Sequence, residues 1–295
     1  MTTHWKQFLL AFTFVSAAIP VFSQIKGIDP TLLGKATAAD PDSEFRVAQI
    51  YAKGDRVGQD LTQAAAWYTK AADQGFAQAQ YELGLLSLAG QGVPQSDAQA
   101  AAWFRKAADQ GLAEAQLSLG GLCDHGQGVK QDYAQAAGWY RKAALQGNAA
   151  AQFNLGSYYE LGNAVPQDYT QAADLYLRAA KQGNASAQFN LGLLYDNGTG
   201  VAQDLTQAAL WYNKAADQGL ARAQYNLGSM FAQGQGVPQS YTEAYYWLSL
   251  AASTWNGARQ QQAAQARDTV AARLSPSEML SAQQRTQKWL TAHQK

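Results

Sequence analysis

Few side chains in this 295-residue sequence could do chemistry. Of three histidines, His4 and His293 lie near the two ends, which leaves His125 alone in the body of the chain. Asp124, Glu160 and Asp196 recur at one spacing, and a row of carboxylates is where an acid–base pair would be sought. Asn154, Asn190 and Asn226 recur in the same way, each after an aromatic residue: Phe153, Phe189 or Tyr225. Tyr81 and Glu82 stand in the equivalent places of an earlier unit. An asparagine amide offers two donors and an acceptor, enough to hold the backbone of an extended peptide, and adjoining aromatics supply contact area. No metal-ligand spacing, phosphate loop or Ser-His-Asp set is recognisable, so the sequence assigns no catalytic residue, no metal and no cofactor.

The spacing itself is the main signal. Gly75, Gly111, Gly147, Gly183 and Gly219 follow one another at 36 residues, as do Gly84, Gly120, Gly156, Gly192 and Gly228. A period of about 20 to 50 residues marks a stacked repeat array in which each unit is one supersecondary element. Apolar residues such as Ala79, Leu83 and Leu86 share one helical face, and that first helix stops at a glycine in every copy, from Gly54 to Gly234. Val57, Val93, Val129, Val165, Val201 and Val237 in the following turn are expected to plug the gap between helices. Asp60, Ser96, Asp132, Asp168, Asp204 and Ser240 each precede a second helix, with Gln or Glu three residues on, which predicts a reciprocal capping box.

On that second helix Trp67, Trp103, Trp139, Trp211 and Trp247, replaced once by Leu175, are expected to seat against the mid-helix glycine. Lys70, Lys106, Lys142, Arg178 and Lys214 suit the negative end of the helix dipole; Leu250 breaks the pattern and implies that this end is covered by the C-terminal segment. Units stacked one helix pair apart would hold Asp124, Glu160 and Asp196 about 10 Å from each other, a solvated face rather than a catalytic pair. Cys123 takes a position held elsewhere by Tyr51, Ser87, Tyr159, Tyr195 and Phe231, which marks it for the core; pairing with another chain or a metal is the alternative.

Lys+Arg 22 against Asp+Glu 22 gives no basic stripe, so nucleic acid is not an expected partner. Lys6 ahead of the apolar run from Phe8 to Phe22 reads as an export signal cleaved after Ser23. The run is shorter than the roughly 20 residues of a spanning helix, so no transmembrane span is expected after its removal. The expected organisation is a signal peptide over 1–23, a flexible lead-in over 24–42 and six repeats over 43–255. Their bounds are about 43–75, 76–111, 112–147, 148–183, 184–219 and 220–255, the first shortened at its front. Residues 256–295 form capping helices: one from Asn256 to Ala271, and one started by Ser275-Pro276-Ser277-Glu278 with Met279, Leu280, Ala282, Trp289 and Leu290 on its apolar face.

The unit A-x-A-Q-[FY]-N-L-G-x-x-Y-x-x-G-x-G-V-x-Q-D-x-x-x-A-x-x-W-Y-x-K-A-A-x-Q-G resembles the Sel-1-like repeat (SLR), a helix pair related in shape to tetratricopeptide repeats. Copy one departs from it at Ala48 and Arg56, and copy four at Ala164 and Leu175. The resemblance implies an all-α, right-handed α/α solenoid whose first helices line a concave surface, closed by a C-terminal helix pair. It also implies a non-catalytic adaptor for a protein or peptide partner, in envelope assembly, signalling or host contact. The chain lacks the paired cysteines of family members linked to β-lactam binding. The alternative is an envelope enzyme or enzyme subunit acting on or binding cell-wall polysaccharide. On the scaffold reading the binding groove holds Tyr81, Glu82, Phe153, Asn154, Phe189, Asn190, Tyr225 and Asn226.

Overall fold

A computed structural model describes residues 27–293, so the export-signal reading and its cleavage site lie outside the described residues. Fifteen helices and no strand occur among them. After α1 (Pro30–Thr37) come six pairs: α2 (Pro41–Lys53) with α3 (Leu61–Asp73), α4 (Ala77–Ala89) with α5 (Asp97–Asp109), and α6 (Ala113–His125) with α7 (Tyr133–Leu145). Then follow α8 (Ala149–Leu161) with α9 (Tyr169–Lys181), α10 (Ala185–Asn197) with α11 (Leu205–Asp217), and α12 (Ala221–Gln233) with α13 (Tyr241–Thr254). α14 (Gly257–Ala271) and α15 (Pro276–His293) end the chain. Each helix packs first on its pair-mate, and each second helix on the next first helix, which makes an α/α solenoid.

The caps explain where these helices start and stop. Every first helix of a pair ends on a glycine in the left-handed region, at φ 65–73°. Every second helix starts on an Asp or Ser side chain that accepts from the amide three residues on, as Asp132 Oδ1 does from Gln135 at 3.0 Å. The other half of the expected capping box does not form. The cap's own N–H donates instead to a carbonyl in the last turn of the preceding helix, Asp132 to Cys123 at 2.8 Å and likewise in all six copies. That carbonyl has no partner within its own helix, and the turn brings it within reach of the amide first. In two copies the displaced glutamine bonds to the cap's side chain, Gln135 to Asp132 and Gln171 to Asp168, both at 2.9 Å. Only at α15 does the reciprocal box close, with Ser275 N–H donating to Glu278 at 2.9 Å.

The mid-helix glycines make room for a different ring from the one expected. A Cβ on Gly84 would lie 2.3 Å from the Phe104 ring; on Gly120, Gly156 and Gly192 it would meet Tyr140, Tyr176 and Tyr212 at 2.7–2.9 Å. Each of these rings is one residue beyond the tryptophan position. Successive residues point about 100° apart on a helix, so only one of the two can face the pair-mate. The tryptophans pack instead with residues of the preceding unit, Trp103 with the first two units and Trp211 with the fourth. The turn valines pack against the core as expected.

A feature not anticipated is a ladder of buried glutamines. Gln80, Gln116, Gln152, Gln188 and Gln224 are all at least 96 % buried. Each donates to a carbonyl at the end of the previous second helix, as Gln188 does to Ala180 at 3.0 Å. The first four also accept from a glutamine 30 residues on, Gln188 from Gln218 at 2.7 Å. In the first unit the place is taken by Glu44, which accepts from Gln74 at 2.6 Å. No second helix precedes it to offer a carbonyl, so a donor would go unused there.

Two departures concern the ends. The lead-in is helical from Pro30, with Leu33 and Ala36 buried, and the first unit's α2 has 13 residues like the other first helices. Asp29-Pro30 and Asp40-Pro41 are the signals: an aspartate cap followed by proline at the first helical position. At the other end α14 packs on α13 in the place a further first helix would take, but Asn256 makes no side-chain cap. α15 packs chiefly on α13 and folds back so that Trp289 lies over Gly219. Leu250 is fully buried, as its departure from the lysine row implied, and Leu280 is 56 % exposed.

Candidate functional site

The sequence-predicted residues on the first helices converge on a row of tyrosines from the second helices. Asn154 stands beside the Tyr140 hydroxyl, Asn190 beside Tyr176 and Asn226 beside Tyr212, each across a unit boundary. The residue before each asparagine packs on a ring as well: Phe153 on Tyr176 at 5.7 Å, Phe189 on Tyr212 at 5.6 Å, and Tyr225 on Trp255 at 5.5 Å. Phe189 is only 7 % exposed, so these aromatics serve the core before any surface. Tyr81 packs at a tilt on Phe104 at 5.6 Å, while Glu82 stands beside Tyr68. Each residue of the expected groove has an intramolecular neighbour.

The carboxylate row is built into the same network and is not simply a solvated face. Tyr158 donates to Asp124 at 2.7 Å, Tyr176 to Glu160 at 2.5 Å and Tyr212 to Asp196 at 3.1 Å; Tyr140 approaches Asp124 at 3.4 Å. Tyr140, Tyr176 and Tyr212 meet their carboxylates from 16 residues away because the second helix runs back along the first, whereas Tyr158 of α8 reaches Asp124 from the next unit. Burial first, and then the carboxylate, push the phenols of Tyr140, Tyr158 and Tyr176 far above their ordinary range, so the hydroxyls remain donors. Carboxylate, phenol and amide thus alternate along three units, and each asparagine amide offers two donors and an acceptor. Sequence reasoning missed the tyrosines, although the Trp-Tyr pair of the unit was their signal. The arrangement can hold polar backbone groups; it sets no nucleophile beside a base.

On the opposite face Lys70, Lys106, Lys142 and Lys214 place their ammonium groups over Trp67, Trp103, Trp139 and Trp211 at 3.6–4.4 Å. The cation row therefore shields indole rings as well as complementing helix ends. A cleft of about 320 Å³ lies there between α3 and α5, lined by Leu83, Val93, Trp103 and Lys106. Gln99 and Ala102 also line this cleft, and the residues in their places on α13, Glu243 and Tyr246, meet Arg285 of α15. Cys123 is buried in the core, and burial raises its thiol pKa. His125 is exposed at the end of α6, bonded to the Gly121 carbonyl. No group of three or more His, Cys, Asp or Glu among the described residues could hold a metal ion. No described helix is long and apolar enough to cross a membrane.

Comparison with known proteins adds to this geometry. The Sel1 repeat family model matches residues 41–76, 77–112, 113–148, 149–184, 185–220 and 221–253. A protective antigen of uropathogenic Escherichia coli displaying an SLR fold is 36% identical, with a TM-score of 0.77 over 88% of this chain and 56% of that one. The chain thus spans little more than half the length of that antigen. A Sel1 repeat protein from Oxalobacter formigenes is 34% identical, with a TM-score of 0.65 over 72% of this chain and 85% of that one. No curated protein matches the chain. Six consecutive matched units, with the turn, cap and core contacts recurring from one to the next, make this chain a member of the Sel1 repeat family.

Proposed function

We propose that the chain is a non-catalytic, exported scaffold that holds a protein partner along the face made by its first helices. Proteins built of Sel1 repeats generally mediate protein–protein interaction. The observation that carries the reading for this chain is the in-register row of Asn154, Asn190 and Asn226, each beside a tyrosine of the preceding unit. Amides held at a constant interval can meet backbone groups at about every third residue of an extended segment without first being ordered. Export is supported by the leader-like sequence up to Ser23, and it makes envelope assembly, signalling or host contact the setting of the interaction.

The test is a comparative capture. The chain from Gln24 onward and its N154A/N190A/N226A variant are immobilised at equal helicity and exposed to an envelope extract. A protein held by the wild type and lost by the variant is the expected result; equal capture by both rejects the face. Fractionation of the tagged full-length chain checks export. A product shortened at Ser23 outside the cytoplasm is expected, and a full-length cytoplasmic product rejects it.

A further inference from the structure

The last repeat shows what can seat on the second helices. Arg285 of α15 pairs with Glu243 and lies over the Tyr246 ring at 3.8 Å, and one turn on Trp289 stands over Gly219. The corresponding glycines of earlier units are uncovered: a side chain on Gly75, Gly111, Gly147 or Gly183 would meet no described residue within 4 Å. Two steps of the repeat before Glu243, Tyr246 and Gly219 stand Gln171, Asp174 and Gly147. Gln171 and Asp174 line a cleft of about 350 Å³ between α7 and α9, to which Leu155 and Leu175 supply apolar surface. The seat that α15 fills at the end of the array is therefore open in the middle.

The two seats differ in charge. At the end, Glu243 is the ion-pair partner of Arg285, and Asp217 stands two residues before the covered glycine. In the middle, uncharged Gln171 and Leu145 take those places, and Leu145 is 78 % exposed. Arg141 and Arg178 line the middle cleft as well. Leu175 replaces the tryptophan over which other units lay a lysine, and Arg178 turns instead to Asp174 at 2.7 Å. That pair is exposed and lies within one helix, so it contributes little and can be exchanged. Arg141 has no carboxylate partner among the described residues; its contact is the Tyr159 hydroxyl at 3.4 Å. Two guanidinium groups thus face one carboxylate beside an exposed leucine.

We propose that the cleft between α7 and α9 docks an acidic amphipathic helix of a protein partner, seated as α15 seats on α13. An apolar side chain lies over Gly147 and Leu145, and carboxylates meet the forks of Arg141 and Arg178. The α15 helix of a second copy does not suit this seat, because Arg285 and Lys288 precede its Trp289 and would meet like charge. The surface belongs to the second helices, so the inference stands apart from the asparagine row.

The probe is a fluorescent, helix-stapled peptide of residues 276–293 carrying R285E and K288E, compared with the native sequence of that segment. Arg141, Arg178 and Leu145 are all exposed, so R141Q/R178Q and L145S are expected to fold, and equal helicity checks this. By fluorescence anisotropy the full-length chain is expected to bind the acidic probe about tenfold more tightly than the native one at low salt. R141Q/R178Q should abolish that preference, L145S should weaken the acidic probe severalfold, and N154A/N190A/N226A should bind it like wild type. Equal or tighter binding of the native peptide overturns the acidic partner and points to α15 of a second copy. Acidic-probe binding that R141Q/R178Q and L145S leave intact, or no binding at all, overturns the docking site.

Discussion

At the scale of the residue, two positions carry strain that can be read out. Ala164 stands where four other units have a turn glycine, at φ 54°. The left-handed region costs an L-residue about 1–2 kcal/mol, so Ala164→Gly is expected to stabilise the protein by about 1 kcal/mol in urea unfolding. Glu82 is half-buried, and burial raises its pKa above the usual glutamate value. A carboxylate whose folded pKa is raised favours folding below its unfolded pKa and loses that contribution as pH rises through the folded one. Glu82→Gln should therefore raise the melting temperature at neutral pH, with the gain fading below pH 4.5; a gain that persists in acid would contradict this. The groove residues were legible because their spacing is fixed by the repeat. Their partners were not: Tyr140 reaches Asn154 from a different unit, and nothing in the spacing states which ring faces which helix.

At the scale of the element, the buried glutamine ladder joins each pair to the next. Gln188 both donates and accepts, whereas the Oε1 atom of Gln224 has no partner among the described residues, because Thr254 stands where the accepting copies have a C-cap glutamine. Gln188→Met is expected to cost about 1–2 kcal/mol, and Gln224→Met close to nothing, since the second change also removes an orphaned acceptor. Chemical denaturation of the two variants checks the difference. Gly192→Ala should cost about 1–3 kcal/mol: its Cβ would fall 2.7 Å from the Tyr212 ring, outweighing the propensity gain of about 1 kcal/mol. Helix limits were legible from caps and stop glycines. The second half of each capping box was not, because the turn decides whether an amide meets a side chain or a carbonyl first. α1 escaped notice although Asp29-Pro30 announces it; its eight residues are too few for a periodic pattern to stand out.

For the whole molecule, contacts run between chain neighbours, so damage should stay local. Ending the chain after Leu274 removes α15 and with it the Arg285–Glu243 pair and the Trp289 cover on Gly219. Hydrogen exchange is expected to quicken in α12 and α13 and to stay unchanged from α2 to α9; acceleration across the whole array would refute neighbour-only coupling. The architecture was legible from the 36-residue step alone, but the backward fold of α15 was not, since its apolar face fits either α14 or α13. The recurring contacts between units have one more consequence. Crossing-over between similar stretches of the coding DNA could add or drop a 36-residue block, and each side chain would still find its usual neighbour. The number of blocks therefore acts as a gauge, setting how far apart the two ends of the array stand.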